Sequence, residues 1–110
     1  MRIIIGGAGR VGTELARALR AEEMDVVLVD SDSRAVKNAQ NLDVLVIHGD
    51  LTTREKLDEA GIGEAEIFVA ATNSDERNLL ACALAEHACL TSKLQEKKPN
   101  HYYLSQESAI

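Results

Sequence analysis

The sequence predicts an α/β domain with a parallel sheet between two helical layers. Three observations carry this. Short β-branched or apolar runs alternate with segments of helical periodicity, the links between them are short, and a glycine cluster stands where the first run meets the first helix. Alternating elements with short links give parallel strands joined by right-handed crossovers.

Taken in order, Arg2 to Ile5 forms the first strand and Val11 to Ala21 its helix, with Val11, Leu15, Ala18 and Leu19 in one apolar stripe. Val26 to Val29 is a continuous apolar run, as expected of a strand covered on both faces. Ser33 to Asn41 carries a short helix and Val44 to Ile47 the third strand. Thr52 followed by Glu55 has capping-box spacing and opens a helix through Ala60, which Gly61 and Gly63 end. Ile67 to Ala71 is the fourth strand. Asn73 with Glu76 caps a last helix containing Leu79, Leu80, Ala83 and Leu84. Residues 1–90 therefore form one domain. Residues 91–110 are a polar tail that holds the chain's single proline and is basic where the body is acidic.

At 110 residues and 45% apolar content, the chain is long enough for a real core but small for an enzyme. No apolar run approaches a membrane span and the start lacks signal-peptide features, so a cytoplasmic location without direct membrane insertion is expected. A net charge of −6, with 18 acids against 12 bases, argues against nucleic acid, which requires a clustered basic face. Cys82 and Cys89 are seven apart in an apolar helical segment, about 10 Å by helix rise, too far for a disulfide. They read as small buried hydrophobes. A metal site with His87 is not supported, because the three side chains do not converge from one helix.

Gly7, Gly9 and Gly12 spell G-x-G-x-x-G straight after a strand and at a helix start, with Ala8, Arg10 and Val11 between them. The first glycine permits the tight turn, the second lets phosphate approach the backbone, and the third lets helix and strand pack closely. Free N–H groups and the positive end of the helix dipole then face the phosphates. Asp30 ends the second strand 18 residues after Gly12, followed by Ser31. Its carboxylate suits both ribose hydroxyls, with a charge that would repel the 2′-phosphate of NADP, and a solvated strand end is the other role open to it. The fold class sharpens accordingly to a Rossmann-like parallel sheet. Asp32 is a second carboxylate there, equally suited to capping the next helix.

At the end of the third strand, Asp50 fits an acceptor for the adenine amino group and Leu51 an apolar surface for the ring. A simple turn is the other role open to Asp50, and His48 reads as structural. After strand four, Ala71-Thr72-Asn73-Ser74-Asp75 lies at the switch point across from the glycine loop, where Thr72 and Asn73 suit phosphates, the second nucleoside or a helix cap. Arg10 has two roles open to it, reaching distal phosphates or standing in solvent.

The stretches GGAGRVGTELARAL, VVLVDSD and HGDLTTREKLDEAGIGEAEIFVAATNSDERNLLACALA resemble the TrkA-N, or RCK, domain of potassium transporters and channels, continuously to about residue 86. Three features coincide: the acid ending strand two, the Gly-Asp pair with a following AGI, and AATNSDERNLL after strand four. The resemblance implies a cytosolic dimer or higher ring, held at the inner face of the membrane by a pore-forming potassium transporter or channel subunit. It implies binding of NAD(H), ATP or ADP, with AMP also accommodated, and conversion of occupancy into gating. By position, Gly7, Gly9 and Gly12 would hold phosphate, Arg10 the terminal phosphates and Asp30 the ribose. Asp50 and Leu51 would flank adenine, and Thr72, Asn73 and Asn78 would lie near the phosphates or the outer nucleoside.

The pattern departs from the family after the fourth helix. No fifth and sixth strands of the usual kind are visible, and only His101 to Leu104 has β propensity for one short strand. The sheet is thus expected to stop after its fourth strand and helix, leaving an edge open to a partner or to the tail. A non-enzymatic nucleotide sensor is the leading expectation. The alternative is the cofactor-binding domain of an NAD-dependent oxidoreductase. Against it, the Tyr-x-x-x-Lys pair of short-chain dehydrogenases is missing, since Gln106 and Glu107 stand four residues after Tyr102 and Tyr103.

Overall fold

The computed structural model describes residues 2–90 and 100–103. Its strands are β1 (Arg2–Gly6), β2 (Asp25–Asp30), β3 (Leu45–His48), β4 (Ala65–Ala70) and β5 (Asn100–Tyr103). The helices are α1 (Arg10–Ala21), α2 (Ser33–Ala39), α3 (Arg54–Ala60) and α4 (Asp75–Leu90), with a 3₁₀ turn at Ile62–Glu64. The sheet order is β3-β2-β1-β4-β5, and every pair is parallel. The chain winds outward from β1 to β3 and then crosses back to β4. That reversal puts a topological switch point between the carboxyl ends of β1 and β4.

The pleat divides the apolar strand residues between two cores. Ile4, Val27, Val29 and Phe68 face α3 and α4, where Leu57, Ala81 and Ala85 meet them. Ile3, Ile5, Val26 and Leu28 face α1 and α2 with Ala16 and Ala39. Both faces being covered is what the unbroken apolar runs foretold. In α1, Val11, Leu15 and Leu19 pack as expected, but Ala18 is exposed and Ala16 takes the buried place. Ala16 stands one turn after Gly12, also buried, and two small residues in line let the helix lie close to the sheet.

Other differences are local. The cap of α3 is Thr53, whose hydroxyl accepts from the Lys56 N–H, because Thr52 is engaged by Asp50 instead. Ser74 rather than Asn73 opens α4, its Oγ accepting from the Arg77 N–H at 3.2 Å. That helix buries its small residues Asn78, Ala81, Cys82, Ala85 and Ala88, while Leu79 and Leu80 are 59% and 50% exposed. Small side chains bring α4 near the sheet, and the larger leucines then point away. Cys82 is buried, and its desolvated thiol is pushed up to about 11 against a hydrogen bond with the Ala70 backbone, as befits a packed hydrophobe.

Beyond β4 the sheet does not stop. Asn100–Tyr103 adds a fifth parallel strand, pairing Ile67 with Asn100 and Ala70 with Tyr103. It overlaps the stretch with β propensity, so the tail covers the β4 edge. The rest of that tail, including Gln106 and Glu107, lies outside the described residues, as does the side chain of Cys89.

Candidate nucleotide site

Backbone bonds build the first half of the site. The Gly7 N–H donates to the Val29 carbonyl and the Ala71 N–H to the Gly6 carbonyl, both at 2.7 Å, so the glycine loop is tied to the ends of β2 and β4. Gly7 has φ +123°, and a Cβ there would lie 2.7 Å from the Ala71 carbonyl oxygen. At Gly12 a Cβ would come within 1.7 Å of the Gly7 oxygen. A Cβ at Gly9, by contrast, would meet nothing within 4 Å. Gly9 is also the N-cap of α1, with no side-chain cap bond and no acid in the first turn. The three glycines thus have separate duties, and the middle one leaves the helix start approachable by an anion.

Asp30 stands half-buried at the end of β2. Its Oδ2 accepts from the Ala8 N–H at 2.7 Å and its Oδ1 from the Asp32 N–H at 2.8 Å. One carboxylate therefore fixes the glycine loop against the turn after β2, and each oxygen keeps a lone pair for a further donor. Asp32 takes the capping role, its Oδ1 accepting from the Arg34 N–H. The carbonyl of Ser31 accepts from His48 Nε2 at 3.0 Å, which gives His48 the structural task expected of it.

Side chains build the second half. Asp50 Oδ1 accepts from the Thr52 N–H at 2.8 Å, the Thr52 hydroxyl at 2.7 Å and Arg77 Nη2 at 2.9 Å. These donors hold its carboxyl below the usual carboxylate range, the Thr52 hydroxyl contributing most, then the Thr52 N–H, with burial opposing and Arg77 adding a smaller share. Leu51 is buried against the end of β1: a Cβ on Gly6 would fall 2.7 Å from its Cδ1. The Thr72 N–H and hydroxyl both donate to Asn78 Oδ1, and Asn78 Nδ2 donates to the Thr72 carbonyl. Asn78 is fully buried, so it acts on the loop after β4 through Thr72.

These residues line two adjoining spaces. A cleft of about 600 Å³ runs past Gly7, Gly9, Arg10, Asp30, Thr72 and Asn73. A smaller inner pocket, about 40 Å³, lies among Val29, Gly49, Asp50, Leu51, Ala70 and Arg77. Arg10 is 87% exposed in an ion pair with Glu14 at 3.6 Å, and Val11 packs into the core beneath α1. Arg77, which lines both spaces, was not singled out from the sequence. One signal was available: a cation in the first turn of a helix opposes the macrodipole, so its presence asks for another reason.

A glycine loop, an acid ending β2 and a cleft at the switch point define a nucleotide-binding frame, which many families share. The family is decided by comparison: the model described as TrkA-N domain matches residues 3–101. The chain belongs to the TrkA-N domain family. A Trk system potassium uptake protein TrkA homolog of Pyrococcus abyssi is 44% identical over 88 residues, 79% of this chain and 39% of that relative. The Trk system potassium uptake protein TrkA of Haemophilus influenzae is 36% identical over 111 residues, 100% of this chain and 24% of that protein. The chain therefore spans well under half the length of these curated relatives. Among solved structures, the TrkA-N domain of inner membrane protein ybaL from Escherichia coli shares the fold at a TM-score of 0.77 and 16% identity, covering 98% of this chain and 89% of that one. A UDP-glucose 4-epimerase of Thermus thermophilus in complex with NAD has a TM-score of 0.59 and 19% identity over 82% of this chain and 32% of that one, a likeness of fold alone. The TrkA-N match reaches past α4 to residue 101, so it takes in the start of β5.

Proposed function

We propose that this TrkA-N domain is the non-enzymatic, nucleotide-sensing part of a potassium uptake system and that it binds NAD(H), ATP, ADP or AMP at the switch-point cleft. The observation that carries the reading is the placement of Asp30, whose carboxylate sits beside the glycine loop with acceptor capacity left on both oxygens. A ribose bearing two free hydroxyls suits it, and the 2′-phosphate of NADP would meet a fixed negative charge. Gly9 and the start of α1 supply the phosphate subsite. Arg10 and Asn73 stand at its rim, and Asp50 with Leu51 forms the adenine side.

The names of the relatives supply the biological direction, a regulatory role in potassium uptake with a membrane-embedded transporter as partner. They also favour this role over hydride transfer. Among the described residues no helix is long and apolar enough to cross a membrane. A regulatory role beside a transporter calls for a peripheral position on the cytoplasmic face, held by that partner. The assembly would be a homodimer or ring, and a nucleotide that binds one arrangement of subunits more tightly would shift the population and bias the pore.

Calorimetry with NADH, NAD, NADPH, ATP, ADP and AMP tests the site, on this chain and on Asp30→Ala. Charge-assisted hydrogen bonds to ribose predict a loss of about ten- to a hundred-fold in affinity in the variant. Equal affinities in the two proteins, or NADPH binding as tightly as NADH, would sink the assignment.

A further inference from the structure

The inner pocket and the outer cleft share the lining residues Gly7, Asp30, Ser31, Thr72 and Arg77, and Arg77 is the cation among them. Arg77 reaches from the first turn of α4 to Asp50, in the loop after β3, and its Nη2 lies 2.9 Å from Asp50 Oδ1. It lines the inner pocket with Val29, Leu51 and Ala70, and the outer cleft with Gly7 and Gly9. The inner pocket, about 40 Å³, has room for a few waters and too little for a purine. Asp50 Oδ1 already accepts three donors, more than its two lone pairs serve well.

Both partners of the bridge remain about half-exposed, Arg77 at 51% and Asp50 at 40%. Ion pairs of that exposure are weak, so a ligand able to offer Arg77 a better anion would displace it. Helix stability does not account for the residue, since Asp75 and Glu76 in the same turn suit the dipole and a cation does not.

We infer that Arg77 is a nucleotide-responsive gate: paired with Asp50 it closes the adenine side of the cleft, and on binding it passes from Asp50 to the phosphates of the incoming nucleotide. The inference rests on the cleft being the nucleotide site. It makes Arg77 a discriminator by phosphate number. Adenosine would have to part the bridge and would give Arg77 no anion in return. ADP and ATP would part the same bridge and supply one.

The test is calorimetry of adenosine, AMP, ADP and ATP on the full chain, on Arg77→Gln, on Arg77→Lys and on Asp30→Ala, with circular dichroism confirming that each variant folds. In Arg77→Gln, ADP and ATP affinity is expected to fall about ten- to a hundred-fold. Adenosine affinity is expected to stay level or rise by up to about five-fold as the bridge is removed. Arg77→Lys should recover part of the ADP affinity, because it restores the charge without the forked donors. Adenosine and ADP moving by one common factor in Arg77→Gln, or neither moving, would overturn the gate. The site itself fails by a different sign, an unchanged affinity for both ligands in Asp30→Ala.

Discussion

The two halves of the cleft are built from different materials. On the β1–β2 side the fixed groups are backbone: Gly7 bonds Val29, Ala71 bonds Gly6, and the Asp30 carboxylate holds the N–H groups of Ala8 and Asp32. On the β3–β4 side bonds between side chains are added to those of the backbone, from Thr52 and Arg77 to Asp50 and from Thr72 to Asn78. Backbone bonds in a loop pinned at both ends leave little freedom, whereas an exposed ion pair exchanges partners at low cost. Phosphate, common to every candidate nucleotide, belongs on the fixed half. Discrimination among nucleotides belongs on the adjustable one.

The sharpest way to break this comparison is at Gly12. A methyl group there would sit 1.7 Å from the Gly7 carbonyl oxygen, a backbone atom held in place by the loop on either side. Gly12→Ala is therefore expected to cost about 3 kcal/mol or more, since neither the helix nor the loop can give way cheaply. Urea denaturation measures it. A loss well under 1 kcal/mol would mean that the glycine loop is as adjustable as the opposite half.

The sequence was most legible where one residue type has one physical use. Apolar runs located β1 to β4, most clearly β1 and β2, whose apolar residues are buried on both faces. The turn at Gly7 and the close packing at Gly12 were legible because a positive φ and a close approach leave few other residues. It was least legible where equivalent capping residues compete. Thr52 and Thr53 can each cap α3, as can Asn73 and Ser74 α4, and only the engagement of Thr52 by Asp50 and the placement of Ser74 decide. Arg77 went unseen for a related reason: its partner lies 27 positions away, and no local pattern links it to Asp50. Ala18 was misplaced because stripe counting did not include a glycine, and Gly12 sets the side of α1 that approaches the sheet.

On the adjustable half the deepest point is Asn78. It is fully buried, and its amide group holds the N–H, carbonyl and hydroxyl of Thr72. Asn78→Ala leaves those groups short of partners in a low-dielectric setting and should cost about 2 kcal/mol. Amide hydrogen exchange should show Thr72 and its neighbours opening more readily than β1 or β2. If protection at Thr72 stayed at the wild-type level, the loop would be held from elsewhere and the division between the halves would blur.

The smallest effect separates the contributions within the adjustable half. Asp50 titrates below the ordinary carboxylate range in the folded chain. A depressed folded value gives stability that is present above the unfolded pKa, about 3.9, and is lost as pH falls through the folded value. The stability gap between the wild type and Asp50→Asn should therefore be widest near neutrality, at under about 1 kcal/mol because the side chain is 40% exposed, and should close as pH falls below about 4. Thr52 contributes more to the depression than Arg77 does. Thr52→Val removes the hydroxyl, the largest single contribution, and leaves the N–H bond, so it should flatten the pH dependence by more than the hydrogen bond or the charge of Arg77 supplies alone, as read from denaturation midpoints between pH 7 and pH 2. A flattening several-fold larger in Arg77→Gln than in Thr52→Val would mean that Arg77 is the chief anchor of Asp50, a bond too strong for an arriving nucleotide to break.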